Sequence, residues 1–198
     1  MRPYLLVMFR AIEEDKKILE KTLAGLAKII YFKELDEKKR LQAIRDATVM
    51  LTGSGRDLTE EIISNAKHLK FIQTLSAGLD FVPFHIIPET VLVASNAGGN
   101  AIAVAEHALA LILSALKKIP MHDRSMRKGM WRRRMFGLSI RNKIMGIIGL
   151  GHIGSELAKM AKSLGMRVYA INRSGRTNLN VDFIGTLKDL EIILKESD

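Results

Sequence analysis

Along this chain, short apolar runs alternate with stretches whose apolar residues recur at helical spacing. Pro3 to Phe9 (PYLLVMF) has the length and composition of a strand and is closed by Arg10. From Glu13 to Lys28, Ile18, Leu19, Leu23, Leu26 and Ala27 mark one helical face, and Ile29 to Phe32 reads as a second strand. A charged helix over Leu35 to Arg45 leads to a third strand, Ala47 to Leu51, and the loop Thr52-Gly53-Ser54-Gly55 leads to a helix over Leu58 to Ala66. Phe71 to Leu75 is a fourth strand, which Ser76-Ala77-Gly78 joins to an expected turn of helix from Leu79. Val91 to Ala94 is the fifth. Strands that alternate with helices predict a parallel sheet covered on both faces. Residues 1–96 therefore read as a small doubly wound, flavodoxin-like α/β domain.

Asn96-Ala97-Gly98-Gly99-Asn100 is the candidate boundary, because adjacent glycines loosen the backbone and Asn100 can cap a following helix. That helix, Ala101 to Lys118, is apolar nearly all round and is expected to be buried at a domain or subunit interface, with Pro120 stopping it. The pattern is most informative from Ile144 onward. A β-branched run enters Gly149-Leu150-Gly151-His152-Ile153-Gly154, and a helix carrying Leu157, Ala158, Ala161 and Leu164 follows directly. In a G-x-G-x-x-G turn the first glycine permits the tight strand-to-helix turn, the second lets a pyrophosphate approach the backbone, and the third lets the helix pack on the strand. The helix start offers unpaired N–H groups and a positive dipole end to the anion. A strand from Met166 to Asn172, a loop at Asn178 to Asn180, a short strand at Val181 to Ile184 and a helix from Leu187 to Lys195 complete the pattern. Residues 97–198 thus read as the first half of a Rossmann dinucleotide-binding domain, with 101–118 as an interdomain helix. A full domain of that kind has six parallel strands. The strand at Ile144 to Ile148 is expected to keep one apolar edge unpaired, which points to a truncated chain, a partner completing the sheet, or further sequence.

Composition narrows the chemistry. The 198 residues are 47% hydrophobic and 26% charged, as in a soluble globular protein. There is no cysteine, which excludes disulfides, zinc–thiolate sites and cysteine nucleophiles. Met1 to Arg10 lacks the features of a signal peptide, and the apolar region Ala101 to Leu116, interrupted by Glu106 and His107, is too short to span a bilayer. The expectation is a cytoplasmic protein with no membrane contact. The net charge of +10 suits nucleic acid, anionic substrates or phosphorylated cofactors alike. It concentrates from Lys117 to Arg134, where eight cations face only Asp123. Trp131 is the lone aromatic there and no nucleic-acid-binding signature accompanies it. A solvated helix end and loop is the leading reading, a subunit contact or anion channel the next, and nucleic-acid binding the weakest.

Four segments, in order, resemble the D-isomer-specific 2-hydroxyacid dehydrogenases. Leu75-Ser76-Ala77-Gly78-Leu79-Asp80 resembles the family's substrate loop, and Asn96 to Asn100 with Ala103-Val104-Ala105-Glu106-His107 its hinge and interdomain helix. Asp123 to Arg133 resembles the segment before the nucleotide fold, and Ile147 to Gly165 the nucleotide fingerprint and its helix. The resemblance implies a two-domain oxidoreductase that moves hydride between a nicotinamide cofactor and a small 2-oxo or 2-hydroxy acid such as glyoxylate or hydroxypyruvate. It also implies an active site in the cleft and a homodimer formed through the nucleotide domain. Carried over by position, the N–H groups of Ala77 and Gly78 would hold the substrate carboxylate, a role that suits an anion nest at a strand end. A plain strand-to-helix turn is the alternative. Gly149, Gly151, His152, Ile153 and Gly154 would follow the pyrophosphate through their backbone. Glu106 and His107 are adjacent on one helix and do not face each other, so His107 is expected to pack or to meet an interface rather than catalyse.

Two departures from the family's pattern matter. An NAD site places Asp or Glu about twenty residues past the glycines to hold the ribose 2′-hydroxyl. Here Asn172-Arg173-Ser174-Gly175-Arg176 removes that charge and offers Arg173, Ser174 and Arg176 to a 2′-phosphate. NADP(H) is therefore expected over NAD(H), which remains the alternative. Second, the family's substrate-binding arginine, its acidic residue and its proton-exchanging histidine align beyond Asp198, so no residue of this chain is given a catalytic role and the chain alone is expected to be inactive. A general acid is typically worth about 10²- to 10⁴-fold in rate. The rival reading is a non-catalytic, nucleotide-responsive binding protein, similar to the C-terminal binding protein corepressors.

Overall fold

The structure, a computed structural model, describes residues 2–198 and divides into two compact units, Met1–Ala97 and Gly98–Asp198. The first unit begins with β1 (Tyr4–Val7), α1 (Glu13–Leu23) and β2 (Lys28–Tyr31). α1 ends five residues before the helical spacing does, because Gly25 takes a left-handed φ of 76° and turns the chain into the strand. After a 3₁₀ turn at Phe32–Glu34 come α2 (Glu37–Asp46), whose Asp36 side chain accepts from the Lys39 N–H, and β3 (Val49–Thr52). Then follow α3 (Glu60–Asn65), β4 (Phe71–Thr74), a 3₁₀ turn at Phe84–Ile86 and β5 (Leu92–Ala94). The helical turn expected from Leu79 is absent. Leu79 to Val82 closes only a tight turn, since Pro83 lacks the N–H that would bond back to Leu79.

All five strands are parallel, in the order β2-β1-β3-β4-β5. This doubly wound order bears out the expected fold class and brings the carboxyl ends of β3 and β4 side by side. Alternation along β1 sends Leu6 and Met8 to one face, with Met50, Ile72, Ile44 and Ile63, and Leu5 and Val7 to the other, with Leu51, Leu19 and Leu23.

The second unit opens with α4 (Ala101–Leu116) and α5 (Ile119–Met126), followed by β6 (Ile144–Ile148), α6 (His152–Ser163) and β7 (Arg167–Ile171). β8 (Phe183–Gly185), a 3₁₀ turn at Leu187–Asp189 and α7 (Leu190–Glu196) complete it. Its parallel sheet runs β6-β7-β8, with Val168, Ala170, Met145 and Ile147 packed on Ala158 and Ala161 of α6. Two expectations are corrected here. The Asn100 side chain makes no capping bond, because its φ of −106° and ψ of 9° are not the extended geometry a cap needs. Pro120 does not end α4. Lys118, at φ 55°, makes the break, and Pro120 sits in the first turn of α5, where its missing N–H costs no bond. α4 packs one face on α6, so within the unit only Ala101 and Ala105 are fully buried, while Ile102 and Leu111 are exposed.

β6 lies at the sheet edge among the described residues, and its start is covered by Asp198. The Asp198 N–H donates to the Ile144 carbonyl, and its carboxylate accepts from the Ile144 N–H and pairs with Lys143. Asp182 fastens β7 in a similar way, accepting from Lys162 Nζ at 2.8 Å and from the Val168 N–H at 2.7 Å. The Lys162 ammonium first, and then the Val168 amide, hold the Asp182 carboxyl below the usual carboxylate range. A carboxyl that stays ionised to lower pH when folded stabilises fully above about pH 4 and loses that contribution as pH falls through its folded value. Asp182→Asn should therefore lower the melting temperature at neutral pH and narrow its deficit at about pH 3, as thermal denaturation followed by circular dichroism would show. An equal deficit at both pH values would count against this role.

Candidate functional site

The geometry of the glycine turn follows from how β6 is tied to its neighbour. At the end of β6, the N–H groups of Gly149 and Leu150 both donate to the Ile171 carbonyl, at 2.9 and 3.1 Å. The chain then reverses into α6 through Gly149, at φ 103°, a conformation that L side chains rarely adopt. A Cβ on Gly154 would collide with the Gly149 carbonyl oxygen, so the third glycine is required for the helix to sit this close to the strand. A Cβ on Gly149 or Gly151 would meet nothing within 4 Å, so these two face open space. The first bond back into the helix is from the Ser155 N–H to the Gly151 carbonyl. The N–H groups of His152, Ile153 and Gly154 thus have no acceptor among the described residues, and no side chain caps them. The His152 ring packs over Gly98, whose φ is 86°, beside a cleft of about 400 Å³ lined by Ala101, Ile102, Gly151 and Ser155.

One strand further on, the Asn172 to Arg176 segment is a closed turn. Asn172 Oδ1 accepts from the Gly175 N–H at 2.7 Å and from Ser174 Oγ at 3.2 Å, and Asn172 Nδ2 donates to the Arg176 carbonyl at 2.8 Å. The Asn172 side chain is therefore spent on shaping the turn, and Arg173, Ser174 and Arg176 lie exposed around it. Arg173 lines a cavity of about 610 Å³ with Ile148, Gly149, Ile171, Asn172, Thr186, Leu187 and Lys188. Ser174 and Arg176 do not line it. The sequence reading missed Thr186, Leu187 and Lys188. The signal was indirect: a parallel strand ending near Gly185 must place its carboxyl end beside that of β7, and the Asn172 N–H does bond the Gly185 carbonyl at 3.0 Å.

In the first unit, two fully buried threonines organise the loops after β3 and β4. Thr52 Oγ1 accepts from the Gly55 N–H at 3.2 Å and Thr74 Oγ1 donates to the Ser76 carbonyl at 2.8 Å. Asn96 bonds the Leu75 carbonyl through Nδ2 and the Ser76 carbonyl through its N–H, and Ser76 Oγ donates to the Gly78 carbonyl. With those carbonyls engaged, the exposed Ala77 and Gly78 N–H groups have no acceptor among the described residues. The Asp80 carboxylate lies beside Gly78, 3.0 Å from where its Cβ would stand. His107, expected to pack or to meet an interface, is exposed on α4 within its unit, which leaves it free to meet an interface. In the basic stretch, Asp123 pairs with Arg127 at 2.9 Å, and Trp131 is 73% exposed. No described helix is long and apolar enough to cross a membrane, and no group of three metal-ligating side chains occurs among the described residues.

These features can be set beside known proteins. The model of the D-isomer specific 2-hydroxyacid dehydrogenase, NAD binding domain, matches residues 109–198. Residues 109–198 carry that family's NAD binding domain. It is 39% identical over 144 residues to the D-3-phosphoglycerate dehydrogenase of Archaeoglobus fulgidus, a match covering 70% of this chain and 27% of that protein. It is 31% identical over 167 residues to the hydroxypyruvate reductase of Thermotoga maritima, covering 83% of this chain and 53% of the relative. The crystal structure of a glycerate dehydrogenase related protein from Thermoplasma acidophilum superposes with a TM-score of 0.70 at 32% identity, over 98% of this chain and 62% of that one. The chain thus spans between about a quarter and a half of the length of these curated relatives. The Rossmann-like parallel α/β fold is shared with the family.

Gly154→Ala should destabilise the chain by about 1–3 kcal/mol or more, since a methyl group must push helix from strand. Gly151→Ala, with open space at its Cβ, should stay within roughly 0.5 kcal/mol of the parent. Urea denaturation of both variants measures the contrast, and equal losses would refute the close-approach account.

Proposed function

We propose that this chain is the dinucleotide-holding and substrate-docking part of an NADP(H)-dependent 2-hydroxyacid dehydrogenase. The observation that carries the reading is the row of unpaired N–H groups at His152, Ile153 and Gly154, set over an open glycine turn one strand away from Arg173. Free amides at the start of a twelve-residue helix favour an anion through hydrogen bonds and the helix dipole together. The pyrophosphate of a nicotinamide dinucleotide fits that cradle, with Gly149 and Gly151 leaving it room. The exposed apolar side chains of Ile148 and Leu187 suit the faces of an adenine ring. No carboxylate stands at position 172 to accept from a ribose 2′-hydroxyl, and Arg173, Ser174 and Arg176 supply donors to a 2′-phosphate instead. The Asn172 side chain acts indirectly, by holding the turn that carries them.

In the first unit, the free amides of Ala77 and Gly78 fit a carboxylate, which makes a small 2-oxo or 2-hydroxy acid the substrate class. When bound, the nicotinamide cofactor supplies or accepts the hydride. No residue of this chain serves as the general acid in this reading. It places the protein in the cytoplasm, as a homodimer formed through the nucleotide unit.

Fluorescence titration of the 198-residue chain with NADPH and NADH tests the cofactor reading. Charge-assisted bonds to a 2′-phosphate are worth about 1.5–3 kcal/mol, so NADPH should bind roughly tenfold tighter or better. Gly151→Ala should weaken both cofactors, because its methyl group takes the space at the turn. Equal or tighter NADH binding would overturn the NADP(H) preference.

A further inference from the structure

We propose that Lys188 is a further specificity-determining residue, which reads the 2′-phosphate from the loop after β8 in the cavity it shares with Arg173. The inference rests on the NADP(H) reading above and deepens it. Two loops build the cavity of about 610 Å³, the Asn172 to Arg176 turn after β7 and the Thr186 to Lys188 turn after β8. They are joined rigidly. The Asn172 N–H donates to the Gly185 carbonyl at 3.0 Å, and Gly175, at φ 65°, sits so close to Thr186 that a Cβ there would come within 2.9 Å of its methyl group. Each loop is also locked within itself: the first by the Asn172 side chain, the second by Asp189, whose carboxylate accepts from the Thr186 N–H at 2.8 Å and from Thr186 Oγ1 at 3.2 Å. Arg173 and Lys188 therefore flank one cavity from two braced loops.

The charges around this cavity are unbalanced. Asp182 is engaged by Lys162, Glu191 by Lys195, and Asp189 is turned onto Thr186. Among the described residues, Arg173, Arg176 and Lys188 have no ion-pair partner. Two uncompensated cations on an opening whose other walls include exposed Ile148 and Leu187, with Arg176 on the adjoining turn, favour a ligand with one apolar ring and one compact dianion. An adenosine carrying a phosphate on its ribose has that chemistry. An ammonium on a flexible stem complements the fork of an arginine, since it can meet a phosphate oxygen without a fixed approach angle.

The test uses the full 198-residue chain, with 2′,5′-ADP and 5′-AMP as probes measured by calorimetry at two salt concentrations. Tighter binding of 2′,5′-ADP by the parent, with Lys188→Gln losing roughly three- to tenfold of that affinity and none for 5′-AMP, is the expected result. Lys188→Arg should retain most of the preference, and the preference itself should shrink at high salt. If the parent prefers 2′,5′-ADP and Lys188→Gln preserves the preference, the Lys188 assignment is wrong while the NADP(H) reading stands. Loss of affinity for both probes in Lys188→Gln would place the side chain on the shared adenosine and also overturn the assignment. A parent that binds both probes equally, or neither, removes the underlying reading.

Discussion

The closest constraint in the second unit is the approach of α6 to β6. Gly154 lies against the Gly149 carbonyl with no room for a side-chain atom, and both the helix direction and the exposure of its first turn depend on that contact. Were the helix displaced, the amides of His152, Ile153 and Gly154 would no longer stand over the open turn. The paired bonds from Gly149 and Leu150 to the Ile171 carbonyl fix the other side of the turn to β7. Backbone geometry therefore sets a row of free amides over an open turn before any side chain contributes, which is why the residue types between the glycines matter less than the glycines themselves.

A common device recurs at the carboxyl ends of both sheets. Short polar side chains satisfy nearby carbonyls or amides, so that a chosen set of backbone groups is left over. Thr74, Ser76 and Asn96 do this around Ala77 and Gly78, and Asn172 and Asp189 do it around Arg173 and Lys188. None of these polar residues needs to touch a ligand to matter. Each removes the alternative conformations in which the loop would turn its own donors inward, and an ordered loop spends less entropy when a ligand arrives.

Much of the fold was legible along the chain because its strands are buried and its helices amphipathic. Each of the eight strands lies within three residues of an apolar run, and the parallel order follows from their alternation with helices. The misreadings share a cause, which is that a local signal can have more than one outcome. Pro120 reads as a stop but is equally at home in a first turn, and the left-handed Lys118 decided between them. α4 is a different case: within its unit α6 covers one face, and the apolar remainder of its circumference keeps the expectation of a domain or subunit interface.

The sequence alone determined the glycine turn, the lack of a carboxylate at position 172 and the cations at 173 and 176, because these depend on which residue types occur at which spacing. It carried the resemblance to the family for the same reason, through four ordered segments. Only the tertiary structure decided which groups are free. Asn172 turns its side chain onto its own loop through bonds three and four residues away, whereas the docking of that loop against Gly185 and the sharing of one cavity by Arg173 and Lys188 depend on contacts between residues distant along the chain. Those contacts follow from the parallel pairing of β7 with β8, which sets two loops side by side that are separated by a strand and a turn in sequence.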